Sequence, residues 1–147
     1  MRVYFAGPLF TPYERAYIGE CAARLRAAGI EVFVPHENAL ATADTTAAGI
    51  FAKDLEGLAA ADAVVAILDG PMTDDGTACE IGLFYGLMQA DPSKKGIVGL
   101  LTDLRAGSIR GTGEGHGLNL FVEGCVEAVG EVCLTIDAVL EVLERWR

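Results

Sequence analysis

Residues 61–82 read ADAVVAILDGPMTDDGTACEIG, and the fold is decided by this stretch. Val64, Val65, Ala66, Ile67 and Leu68 form an unbroken apolar run, the pattern of a strand buried on both faces of a parallel sheet. Gly70 and Pro71 end the strand, and Thr77 is the expected cap of a largely apolar helix over residues 77–89. Glu80 falls in the first turn of that helix, at the carboxyl end of a buried strand, where open α/β sheets hold their ligands. The helix dipole alone favours an acidic residue there, so position by itself does not make Glu80 functional.

On either side of this unit, strand and helix patterns alternate. Strands are expected over 3–5, 31–34, 62–68, 95–101 and 132–134, and helices over 13–28, 45–60, 77–89, 119–128 and 136–147. Gly29 closes the first helix, Pro35 ends the second strand, and residues 102–117, rich in Gly and polar side chains, read as a long loop. Such alternation predicts an α/β three-layer fold, a parallel sheet with helices on both faces and right-handed crossovers. Five strands predict the flavodoxin-like, Rossmann-like order 2-1-3-4-5, with a switch point between the first and third strands. The loops leaving those two strands, AGPLFTP and DGPMTDDG, are expected to face one another across a crevice.

A chain of 147 residues with 52% hydrophobic residues and 18 glycines fits one compact domain over 1–147, burying roughly two thirds of its unfolded surface. A net charge of −10 argues against nucleic acid and anionic membranes as partners. Met1 leads straight into a strand with no leader pattern, and no apolar run is long enough to span a membrane, which together point to a cytoplasmic location. Cys21, Cys79, Cys125 and Cys133 are scattered, without metal-ligand spacing, and are expected to be buried thiols in a reducing compartment.

Asp54, Asp62, Asp69, Asp74, Asp75 and Glu80 cluster around the expected crevice with no histidine among them. His36 and His116 are expected to be surface or loop residues. A calcium loop requires alternating acidic ligands and a distal Glu, which are missing here, so no metal is expected. Carboxylates in this setting suit glycosyl chemistry, in which one attacks an anomeric carbon and another handles the leaving group's proton.

Four segments, VYFAGPLFTPYERA, DLEGLAAADAVVAILDG, DDGTACEIG and NLFVEG, span residues 3–124. Together, with the six-residue step from Asp74 to Glu80 and the eight-residue step from Asp54 to Asp62, they resemble the nucleoside 2-deoxyribosyltransferases. The resemblance implies that Glu80 is the nucleophile that carries a covalent deoxyribosyl group, and that the Tyr4 hydroxyl orients it. It implies that Asp54 and Asp74 bind the base and assist its protonation. Gly7, Pro8, Phe10, Gly76 and Phe121 would line the substrate, and Asn119 would reach the sugar's 5′ end in a neighbouring subunit's site. Phe121 stands where relatives often carry Met. No cofactor is implied. The expected partners are a 2′-deoxyribonucleoside, a free nucleobase and further copies of the chain, as a dimer or hexamer.

Asn119 also reads as a helix cap, and Asp54 as a helix charge beside Lys53. A helix N-terminus is expected to keep Glu80 ionised, while like charge raises the pKa of a proton-donating Asp. Two other readings remain: a deoxynucleoside 5′-monophosphate N-glycosidase, with Arg105, Ser108 and Arg110 available to a phosphate, and a non-catalytic nucleotide-binding module.

Overall fold

The computed structural model describes residues 1–38, 40–42, 45–107 and 117–147. Five parallel strands, β1 (Arg2–Ala6), β2 (Glu31–Phe33), β3 (Ala63–Ile67), β4 (Gly96–Leu100) and β5 (Glu131–Cys133), lie in the order β2-β1-β3-β4-β5. Helices α1 (Pro12–Ala27), α2 (Ala47–Ala60), α3 (Asp75–Ala90), α4 (Leu120–Glu127) and α5 (Ile136–Arg145) alternate with them. The flavodoxin-like order expected from the alternation is the order observed.

The period-two geometry of each strand divides the core in two. Val3 and Phe5 of β1, Val65 and Ile67 of β3, and Val98 and Leu100 of β4 pack against α1 and α5 through Ile18, Leu25, Val139 and Leu143. Tyr4 and Ala6, Val64 and Ala66, and Ile97 face the other way, onto Leu58 of α2, Ile81 and Phe84 of α3, and Val126 of α4. Because β1, β3 and β4 are covered on both faces, their sequences are continuous apolar runs rather than alternating ones. Tyr4 of β1 is therefore an oddity, a polar side chain fully buried on the α2–α4 side.

Helix starts follow local capping chemistry. Thr11 and Glu14 form a reciprocal capping box at α1, and Thr46, Thr135 and Asn119 cap α2, α5 and α4. At α3 the cap is Asp74 and not Thr77, which is the buried third residue of the helix. Of the cysteines, Cys21 and Cys133 are buried as expected, Cys125 is half-buried, and Cys79 is exposed. No helix among the described residues is long and apolar enough to cross a membrane.

Candidate active site

Tyr4 supplies the first fixed point of the site. Its hydroxyl donates to Oε1 of Glu80, linking β1 to α3. Its ring stacks on Phe33 of β2, with centroids 5.3 Å apart and planes 20° from parallel. Gly57 of α2 permits that stack, because a Cβ there would come within 2.7 Å of the Phe33 ring. The order of contacts is thus Gly57, Phe33, Tyr4, Glu80.

The helix α2 forms the opposite wall. Ile50, Phe51, Asp54, Leu55 and Leu58 share one face at helical spacing. With Ala47 and with Cys79, Glu80 and Leu83 of α3, they line a cleft of about 390 Å³. Lys53 donates from Nζ to the carbonyl of Pro35 at 2.8 Å and pairs with Oδ1 of Asp54 at 3.1 Å. That Asp54 oxygen is buried and receives no aligned hydrogen bond, so charge is what the lysine offers it.

Glu80 is placed by the start of α3. Oδ2 of Asp74 accepts from the Thr77 backbone N–H at 2.9 Å and from the Thr77 hydroxyl at 3.1 Å. The helix therefore begins at Asp75, earlier than the residue pattern suggests, and Glu80 sits in the second turn. The helix dipole fades within one turn, so its expected help in ionising Glu80 is weak. Burial instead pushes the Glu80 carboxyl up to about 7, against the hydrogen bond from Tyr4, with Asp54 and Asp74 adding repulsion and Lys53 opposing it. Burial and the adjoining carboxylate push the Tyr4 hydroxyl far above its usual range, so it stays a donor.

Tyr4, Asp54 and Glu80 are thus brought together, with Asp74 near enough to act on the Glu80 charge. The remaining expected residues lie outside that cleft's lining in a single chain. Gly7 packs against Ile18 and Ile67. Pro8 lines a second cleft, of about 420 Å³, with Tyr13, Tyr17, Asp69 and Gly70, where the loops after β1 and β3 do meet. The carboxylates of that second cleft are already engaged. Glu14 accepts from the Thr11 N–H at 2.6 Å, and Asp69 accepts from the N–H and hydroxyl of Thr102, both at 2.6 Å. Phe10 is 80% exposed, and Gly76 lies in the exposed first turn of α3. Asn119 caps α4 by accepting from Phe121 N–H at 2.9 Å. Phe121 is 87% exposed and lines an apolar groove of about 450 Å³ with Leu120, Tyr85 and Cys125.

Arg105 does not offer itself to a phosphate. Its guanidinium pairs with Asp103 and donates to the carbonyls of Leu68 and Gly117. Arg15 likewise donates to the carbonyl of Leu9 at 2.6 Å. Ser108, Arg110 and His116 lie outside the described residues, and His36 is half-buried in the turn Pro35–Glu37. Among the described residues no group of three or more His, Cys, Asp or Glu side chains is arranged to hold a metal ion. The residue pattern did not reveal that Phe33 supports Tyr4 or that Cys79 opens into the cleft. The spacing of Ile50, Phe51, Asp54 and Leu58 was the available signal for the α2 wall.

The family sequence model described as Nucleoside 2-deoxyribosyltransferase matches residues 3–121. No curated protein matches the sequence. Among solved structures, the chain is similar to a conserved protein from Enterococcus faecalis V583, with a TM-score of 0.81 and 30% identity over 99% of this chain and 98% of that one. A 2-deoxyribosyltransferase from Bacillus psychrosaccharolyticus gives 0.69 and 23% over 95% and 90%. A CMP N-glycosidase from Clostridium botulinum gives 0.61 and 18% over 100% of both chains. The last two likenesses speak for the fold alone.

Proposed function

The chain belongs to the nucleoside 2-deoxyribosyltransferase family, and from that premise we propose that it exchanges the base of a 2′-deoxyribonucleoside through a covalent deoxyribosyl intermediate on Glu80. The observation that carries this reading is the Tyr4 hydroxyl aimed at the Glu80 carboxylate beside a cleft that Asp54 also lines. A lone buried carboxylate would serve structure poorly. One oriented by a fixed donor and open to a cleft is arranged to attack.

In this reading ionised Glu80 bonds to C1′ as the C1′–N bond breaks, and the bond's electron pair leaves with the base. The departing base takes up a proton relayed through Asp54 or Asp74, the acidic groups nearest Glu80, and the incoming base gives up its N–H proton by the same route. A second base then displaces Glu80 from the face the first one left, and two inversions retain the configuration at C1′. Tyr4 holds one carboxylate oxygen by its hydrogen bond, leaving the other to react. Gly7, Pro8 and Phe10 from the loop after β1, and Gly76 from the first turn of α3, contribute to the substrate's surroundings. The exposed Leu120 and Phe121 and their uncharged groove support a homo-oligomer, in which Asn119 of one copy completes the site of another.

The test is chromatography of 2′-deoxyinosine with and without free adenine, beside Glu80→Ala. Deoxyadenosine formed only with intact Glu80 is the expected result. Hypoxanthine released at one rate regardless of adenine would make the protein a hydrolase instead. Failure with purine and pyrimidine deoxynucleosides and with a 5′-monophosphate would leave only ligand binding.

A further inference from the structure

The lysine beside the site is out of character for its position. Lysines are seldom sequestered, and ordering one costs on the order of 2 kcal/mol of side-chain entropy. Yet the Lys53 side chain is only 15% exposed and that of Asp54 19%. Adjacent residues on a helix point in different directions, so helical spacing does not bring Lys53 onto Asp54. The long stem bends back because its ammonium is anchored on the Pro35 carbonyl, in the turn that follows β2.

We propose that Lys53 is a positioning residue for the chemistry at Glu80: tethered to the turn after β2, its ammonium fixes the Asp54 carboxylate and supplies positive charge to an otherwise acidic cluster. This rests on the reading of Glu80 as the nucleophile. The groups around Glu80 are Tyr4 from β1, Lys53 and Asp54 from α2, and Asp74 and Cys79 from α3. In the turn that anchors the lysine, His36 is next to Pro35, and Glu37 pairs with Arg26 instead. Of these, Tyr4 and Lys53 favour the charged form of Glu80, whereas burial and the two aspartates oppose it. Removing the ammonium leaves Asp54 Oδ1 buried without a counter-charge and lets the full repulsion of Asp54 act on Glu80.

A purely structural strut from α2 to the turn would make the same contacts, so the test must read charge. The carboxyl carbon of Glu80 is followed by 13C NMR as pH is varied, its signal identified by its absence in Glu80→Gln. The wild type is compared with Lys53→Met, which keeps the aliphatic stem, and with Lys53→Arg, which keeps the charge. The titration midpoint of Glu80 is expected to rise by about one unit in Lys53→Met and to stay near the wild-type value in Lys53→Arg. Base exchange by Lys53→Met should then fall about tenfold further at pH 6 than at pH 9. An unmoved midpoint in folded Lys53→Met overturns the proposal, even if its melting temperature drops. Should Lys53→Met not fold, Lys53→Gln is read by the same criteria. A shifted midpoint in a protein whose wild type exchanges no base supports the role of Lys53 and overturns the transferase reading, so the two failures are distinct.

Discussion

With its carboxyl pushed up to about 7, the half-buried Glu80 keeps a proton that the same group in the unfolded chain releases near 4.5. Between those values the folded chain binds more protons than the unfolded one, so this residue's contribution to stability falls as pH rises. Each pH unit across that interval costs about 1.4 kcal/mol, and the loss is complete above pH 7. Glu80→Gln removes that cost. It should melt at a higher temperature than the wild type at pH 8 and differ little at pH 5, by differential scanning calorimetry. A variant without activity but with greater stability would mark Glu80 as a strained functional group. At this scale it was the family resemblance that named Tyr4, Asp54, Asp74 and Glu80 as a set, and Tyr4, Asp54 and Glu80 lie together in the structure. The residue pattern led to the opposite expectation for Glu80, a helix N-terminus that keeps it ionised, whereas burial pushes its carboxyl up. The outcome depends on depth of burial against the reach of a helix dipole, and burial is a property of the packed molecule.

At the scale of elements, the site depends on how closely α2 approaches β2. Gly57 allows Phe33 to lie between the helix and Tyr4. Gly57→Ala should push the Phe33 ring off its stack, loosen Tyr4, and lower kcat about tenfold while changing KM little. Its melting temperature should fall by only a few degrees, because an added methyl displaces one ring end rather than opening a cavity. Steady-state kinetics and a thermal melt check both parts. Strand and helix positions were legible within a residue or two, because a two-sided sheet demands continuous apolar runs and helices need regular spacing. The start of α3 was less so. Asp74 and Thr77 are both good caps by residue type, and only the fold of the preceding loop decides between them.

For the whole molecule, the sheet order followed from alternation and right-handed crossovers, whereas the surroundings of the cleft did not. Asn119 and Phe121 lie outside the lining of the Glu80 cleft in a single chain, so the part proposed for them requires a second copy. Phe121→Asp places a charge on the uncharged groove of Leu120, Tyr85 and Cys125. It is expected to reduce the size seen by light scattering to that of a smaller species, and to remove most base exchange. The Glu80 titration should remain unchanged.

One guanidinium has a consequence for how this surface can vary. Arg105 holds the carbonyl of Leu68 on one side and that of Gly117 on the other, and Gly117 lies so near that a Cβ would sit 2.6 Å from Arg105 Cβ. One side chain therefore ties the end of β3 to the segment that enters α4. A side chain larger than hydrogen at position 117 would push Arg105 aside and release the carbonyl of Leu68 with it.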